Sequence, residues 1–126
     1  MLVTHALKIL FYGEEPELLK LKAQIGSDIS NSLNVTFSDE NHLEIMQKNI
    51  SKGDALKILL AKLNLPLNQT MAFGDSMNDV ELFRTAAHPI MMENAGKSLQ
   101  TLFPNALRAQ TNDRNGVANF LLDYVL

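Results

Sequence analysis

From Ser51 onward the sequence alternates segments of helical spacing with short apolar runs, and this rhythm constrains the fold more than any figure of composition. Ala55, Leu56, Leu59, Leu60 and Leu63 recur at helical spacing behind Ser51, a residue suited to capping a helix, until Asn64 and Pro66 stop it. Thr70 to Phe73 then reads as a strand. A helix containing Val80, Leu82, Phe83 and Ala86 follows and is ended by His88-Pro89; Pro89 to Met92 reads as a second strand and Ala95 to Phe103 as a short helix. Ala106 to Gln110 is expected as a third strand and Val117 to Val125 as a closing helix. Strands that alternate with helices form parallel sheets, because each helix carries the chain back to the same edge. The expectation is an α/β fold, a partial Rossmann-like parallel sheet with crossover helices.

Residues 1–50 follow a different pattern. Leu7 to Tyr12 is largely apolar and bounded by Gly13, which predicts a strand, and Pro16 fits the first turn of a helix reaching about Ile25. Leu33 to Ser38 and His42 to Met46 are alternating segments separated by Asp39-Glu40-Asn41, a predicted hairpin. The chain therefore divides near residue 50 into a small α+β unit, 1–50, and the alternating region, 51–126.

Charge and composition exclude several classes of function. A formal net charge of −3 over 126 residues gives no electrostatic reason to expect nucleic acid or an anionic membrane as partner. Without cysteine there is no disulfide or thiol chemistry, and a metal site is left to oxygen and imidazole ligands. The opening Met1 to Lys8 has neither the basic start nor the apolar run of a signal peptide, and no segment nears the roughly 20 apolar residues of a membrane span, so a cytoplasmic location is expected. His5, His42 and His88 are not spaced as metal ligands. The Met91-Met92 pair reads as core filling.

The chemistry gathers at Gly74-Asp75-Ser76-Met77-Asn78-Asp79, directly behind the apolar Met71-Ala72-Phe73. Ligands of open parallel sheets bind beyond the carboxyl ends of the strands, where this order puts Asp75. Oxygen ligands of this kind suit hard cations such as Mg²⁺, which often bridge to substrate phosphate. Asp79, four residues on, can face back toward Asp75 or cap the first turn of the next helix, and Asn78 offers both a donor and an acceptor. Taken alone, the segment reads equally as a turn with a capping acid. Lys52 adds weight, because a lysine at a helix N-terminus meets the unfavourable end of the helix dipole unless an acid or anion offsets it.

Five segments carry a resemblance to a known family: Leu43 to Met46, Ile50 to Leu56, Met71 to Asp79, Met92-Glu93-Asn94-Ala95, and Thr111 to Ala118. In order and spacing the chain resembles the second half of the haloacid dehalogenase-like hydrolases, in particular the Cof-type sugar-phosphate and cofactor phosphatases. The resemblance implies that Lys52 steadies the phosphoryl group, that Asp75 binds Mg²⁺, that Asp79 supports the metal site and the lysine, and that Asn78 contacts phosphate or substrate. Asn112 and Asp113 are implied as further substrate contacts, residues 1–50 as a remnant of the cap that selects substrate, and residues 51–126 as the C-terminal half of the hydrolase core. Glu93 departs from the family pattern, which favours glycine there, and adds an acid close to the site.

A second departure is larger. Members of the family open with a strand ending in Asp-x-Asp, whose first acid attacks phosphorus and whose second serves as general acid and base; no Asp-x-Asp occurs in this sequence. The expectation is a part of a Mg²⁺-dependent phosphatase for small phosphorylated metabolites, with Mg²⁺ held weakly and little activity by itself. The strand carrying Asp75 is expected to have an unpaired edge, which invites a homodimer or a complementing N-terminal half. The alternative is a non-catalytic shortened product acting as a binding or interaction module, or without function.

Overall fold

The computed structural model describes residues 6–25, 29 and 31–124. His5 and Val125 lie outside the described residues. The chain forms two compact units, Met1–Ser51 and Lys52–Leu126.

In the first unit the order is β1 (Lys8–Tyr12), α1 (Glu15–Gln24), β2 (Leu33–Asp39) and β3 (His42–Gln47). The strands form one antiparallel sheet in the order β1-β3-β2. Pro16 stands in the first turn of α1, where its missing N–H has no helical partner to lose. The register places Leu43 opposite Phe11 and Phe37, and Ile45 opposite Ile9 and Val35, so one face of the sheet is apolar. Leu43 and the α1 residue Leu18 are buried. The other face carries Lys8, Tyr12, His42 and Glu44, and the buried Glu44 is paired to Lys8 at 3.0 Å. At the hairpin tip Asn41 N donates to Asp39 Oδ1 at 2.8 Å, while Asn41 Nδ2 donates to Gly13 O at 3.2 Å and ties the tip to the end of β1.

The second unit runs α2 (Lys52–Leu63), β4 (Met71–Gly74), α3 (Val80–Thr85), β5 (His88–Met92), α4 (Lys97–Leu102), β6 (Leu107–Ala109) and α5 (Gly116–Tyr124). The strands are parallel in the order β4-β5-β6, as helix-for-crossover alternation predicts. Val80, Phe83, Met91, Ala95 and Leu99 form one core cluster, and Ile90, Met92, Ala109 and Phe120 a second. Met91 and Met92 therefore fill the core from opposite faces of the same strand. Asn64 ends α2 in the left-handed conformation, φ 53°, and Leu65 N returns to Leu60 O at 3.0 Å to satisfy an orphan carbonyl.

Two boundaries differ from the periodicity. The helix after the Asp75 turn is short: a 3₁₀ turn, Met77–Asp79, precedes α3, which ends at Thr85 rather than at His88. The cause is a side chain distant in sequence. Thr70 Oγ1 donates to Leu67 O at 2.6 Å and accepts from Ala87 N at 3.0 Å, which pulls residue 87 out of the helix and starts β5 at His88. The helix expected from Ala95 begins at Lys97, because Gly96 stands as its N-cap in an extended conformation, φ −61° and ψ 146°.

Within the described residues β4 pairs with β5 alone and forms one edge of its sheet. On α2, Ile58, Leu59 and Leu63 are exposed, as are Leu65 and Leu67 in the connection to β4. No helix among the described residues is long and apolar enough to cross a membrane.

Candidate active site

The carboxyl end of β4 delivers the chain into a turn that folds back on itself. Gly74 permits this: a Cβ there would lie 2.7 Å from Asp79 Cβ, 2.8 Å from Asp79 Oδ2 and 2.8 Å from the Phe83 ring. With that space open, Asp79 tucks beneath the strand end and is 3% exposed. Its Oδ2 accepts the backbone N–H groups of Asp75 at 2.9 Å and Ser76 at 3.1 Å. Its Oδ1 accepts Lys52 Nζ at 2.5 Å.

Lys52 reaches this acid from the first residue of α2. The approach depends on Gly53, where a Cβ would lie 2.3 Å from the backbone oxygen of Glu81, so only glycine lets α2 lie this close to α3. Lys52 Nζ also donates to Asn78 Oδ1 at 3.1 Å, and its side chain is half exposed. The repulsion between the ammonium and its own helix N-terminus is thus offset by a buried carboxylate, while part of the charge still faces solvent. Lys52, Asn78 and Asp79 form one connected group.

Asp75 has a different role open to it. Its Oδ1 accepts Ser76 Oγ at 3.1 Å and its Oδ2 accepts Asn94 Nδ2 at 3.4 Å, while its backbone oxygen takes Gly96 N at 2.9 Å. The side chain is partly exposed and holds no ion pair among the described residues. Asp79 spends its oxygens on two amides and an ammonium; Asp75 keeps acceptor capacity facing outward. No group of three or more His, Cys, Asp or Glu side chains among the described residues is arranged to hold a metal. One free carboxylate at a strand end fits Mg²⁺ even so, because this ion retains most of its waters and commonly takes one or two carboxylates plus substrate phosphate.

Other predicted residues stand apart. Asn112 and Asp113 lie in the 3₁₀ turn Asn112–Arg114 beyond β6, at the same edge of the sheet but two strand spacings from β4, roughly 10 Å. No hydrogen bond among the described residues joins their side chains to Lys52, Asp75 or Asp79. His88 opens β5, at the opposite edge from Asp75. His42 Nδ1 is paired with Asp39 at 2.7 Å in the first unit, where the imidazole holds the Asp39 carboxyl below its usual range.

Asn94, Ser76 and Gly96 enter the site without having been singled out by residue chemistry. Ser76 and Asn94 had a signal in the sequence, since both sit inside the segments that carry the family resemblance. Gly96 acts through its backbone N–H, which no side-chain pattern reveals.

The chain is similar to known proteins over most of its length. The family profile for haloacid dehalogenase-like hydrolases matches residues 3–121. An HMP-PP phosphatase of Serratia proteamaculans is 35% identical over 114 residues, covering 90% of this chain and 42% of that protein. A putative phosphatase of Haemophilus influenzae is 35% identical over 123 residues, covering 93% of this chain and 45% of its own length. Among solved structures, SMU.1108c from Streptococcus mutans superposes with a TM-score of 0.82 at 31% identity, over 94% of this chain and 44% of that one. The chain spans less than half the length of each of these proteins. It belongs to the haloacid dehalogenase-like hydrolases, and its homologues are phosphatases.

Proposed function

We propose that this chain is the C-terminal portion of a Mg²⁺-dependent phosphatase for small phosphorylated metabolites, working in the cytoplasm. Residues 1–50 serve as part of its substrate-selecting cap and residues 51–126 as the second half of its core. The observation that carries the proposal is the ammonium of Lys52, held between Asn78 and the buried Asp79 beside the outward-facing Asp75.

Each residue has a chemical task in this reading. Lys52 presents positive charge to a phosphoryl group and balances charge that gathers on its oxygens. Asp79 holds that ammonium in place. Asp75, steadied by Ser76 and Asn94, would hold Mg²⁺, which when bound supplies further charge neutralisation at the phosphoryl oxygens. Asn78 orients the lysine and offers its amide to phosphate or substrate, and Asn112 and Asp113 contact the more distant parts of a substrate.

The attacking carboxylate comes from outside residues 1–126, since no Asp-x-Asp stands within them. The open edge of β4 supports the same view, being the place where a further parallel strand would bring a carboxylate beside Asp75. By itself the chain has little or no phosphatase activity.

The test is hydrolysis of p-nitrophenyl phosphate, and then of HMP-PP, with Mg²⁺ present. The chain is assayed alone and mixed with the nucleophile-bearing first half of a related phosphatase. Activity in the mixture alone is expected. No activity in either sample, with the two halves shown to associate, would leave a non-catalytic binding role as the better account.

A further inference from the structure

Asp75 and Asp79 are held by different kinds of donor. Asp79 takes the ammonium of Lys52, which offsets its charge, whereas the side chains that donate to Asp75 are the hydroxyl of Ser76 and the amide of Asn94. Both of these are neutral. They orient the Asp75 carboxylate without cancelling it, and they use two of its roughly four lone-pair positions. A lysine or arginine in place of Asn94 could hold the same oxygen, but its charge would oppose any cation there.

The two donors also differ in what anchors them. Ser76 follows Asp75 in the chain and moves with its turn. Asn94 stands beyond β5 in a stretch fastened on both sides: Glu93 N donates to Ala109 O at 2.9 Å, Ala95 N donates to Met92 O at 3.0 Å, and Ala95 is buried in the core. Gly96 N reaches back to Asp75 O at 2.9 Å, so one short stretch grips both the backbone and the carboxylate of Asp75. Asn94 is therefore the side chain that sets the direction of this carboxylate relative to the sheet. Its bond is long, 3.4 Å, and exposed, so it adds little to folding.

We propose that Asn94 is a positioning residue for a divalent cation at Asp75, its neutral amide aiming the carboxylate while leaving the negative charge free. This rests on the reading of Asp75 as the cation ligand. Groups that hold a metal's own ligands commonly change its affinity by about ten- to a hundredfold, and one long exposed bond belongs at the low end of that range.

Mn²⁺ is the probe. Its free concentration, read by electron paramagnetic resonance during titration of residues 1–126, gives Kd for the unaltered chain and for N94A, N119A and D75N. Asn119 is also exposed, and its amide donates to Gln110 Oε1 and Arg114 O, so N119A removes asparagine bonds that do not touch Asp75. Urea denaturation followed by circular dichroism gives the stability of each variant. The expected result is a Kd weakened about tenfold in N94A, with its urea midpoint little changed, and a Kd in N119A equal to that of the unaltered chain. An asparagine with a merely structural role would lower the midpoint and leave Kd alone. Equal Kd values for N94A and N119A, with binding lost in D75N, overturn the proposal and leave the reading of Asp75 standing. Mn²⁺ binding that is absent from the unaltered chain, or that survives in D75N, overturns that reading and this proposal with it.

Discussion

Replacing Asp79 by alanine removes the acceptor around which the Asp75 turn is built, and the cost follows from its partners. The carboxylate takes the amides of Asp75 and Ser76 and the ammonium of Lys52, and its side chain is 4% exposed. Each amide left buried without an acceptor costs roughly 1–3 kcal/mol. Lys52 is half exposed and regains water, so its loss adds less than about 1 kcal/mol. Together these terms span roughly 2–7 kcal/mol, and because both amides are only partly buried the low end, about 3 kcal/mol, is expected. Asp79→Asn keeps one oxygen for the amides but turns its NH₂ toward the ammonium, and is expected to cost about 2 kcal/mol. Urea denaturation followed by far-ultraviolet circular dichroism measures these values, with a constant slope confirming that midpoints report stability. A double-mutant cycle with Lys52→Met should show coupling of about 1 kcal/mol. A loss below about 1 kcal/mol for Asp79→Ala, or additive single effects in the cycle, would refute the reasoning.

Three further outcomes are expected. Gly53→Ala drives a methyl group into the Glu81 carbonyl, so it should cost about 3 kcal/mol in the same denaturation assay; an unchanged midpoint would show that α2 and α3 have room to separate. The Asp39 carboxyl titrates below its usual range in the folded chain, so its contribution is present above the unfolded carboxylate pKa and lost as pH falls through the lower folded value. The urea-midpoint difference between the unaltered chain and Asp39→Asn should therefore be larger at pH 7 than at about pH 2, and a difference independent of pH would contradict it. The open β4 edge and exposed Leu59 and Leu63 should make the chain self-associate, giving a light-scattering mass above 14.0 kDa that rises with concentration and falls in L59K/L63K. A constant monomer mass at high concentration would count against an open edge of this kind.

Much of the fold was legible because local and tertiary preferences agree in this chain. The leucines of α2 repeat on a helical period, and Asn64 and Pro66 stand where the helix must stop. The short apolar runs behind Thr70, His88 and Asn105 could only be parallel strands once helices lay between them. Lys52 and the Asp75 turn could be brought together on paper because the helix dipole demands an acid near that ammonium. What was not legible depends on contacts between residues far apart in sequence. The early end of α3 is set by the Thr70 hydroxyl seventeen positions away, and no periodicity within the helix records it. Gly96 fastens Asp75 through a backbone N–H, and the different surroundings of two similar aspartates follow from which one is folded under the strand. Residue type alone does not separate Asp75 from Asp79; burial does.

The most direct measurement is phosphate-ester turnover by residues 1–126 joined to a nucleophile-bearing first half, with Lys52 intact and with Lys52→Met, in Mg²⁺. The account predicts turnover in the joined protein that falls at least about 100-fold, near 2.7 kcal/mol of transition-state stabilisation, on loss of the ammonium. Turnover by residues 1–126 alone at a comparable rate, or joined-protein activity indifferent to Lys52→Met, would contradict it.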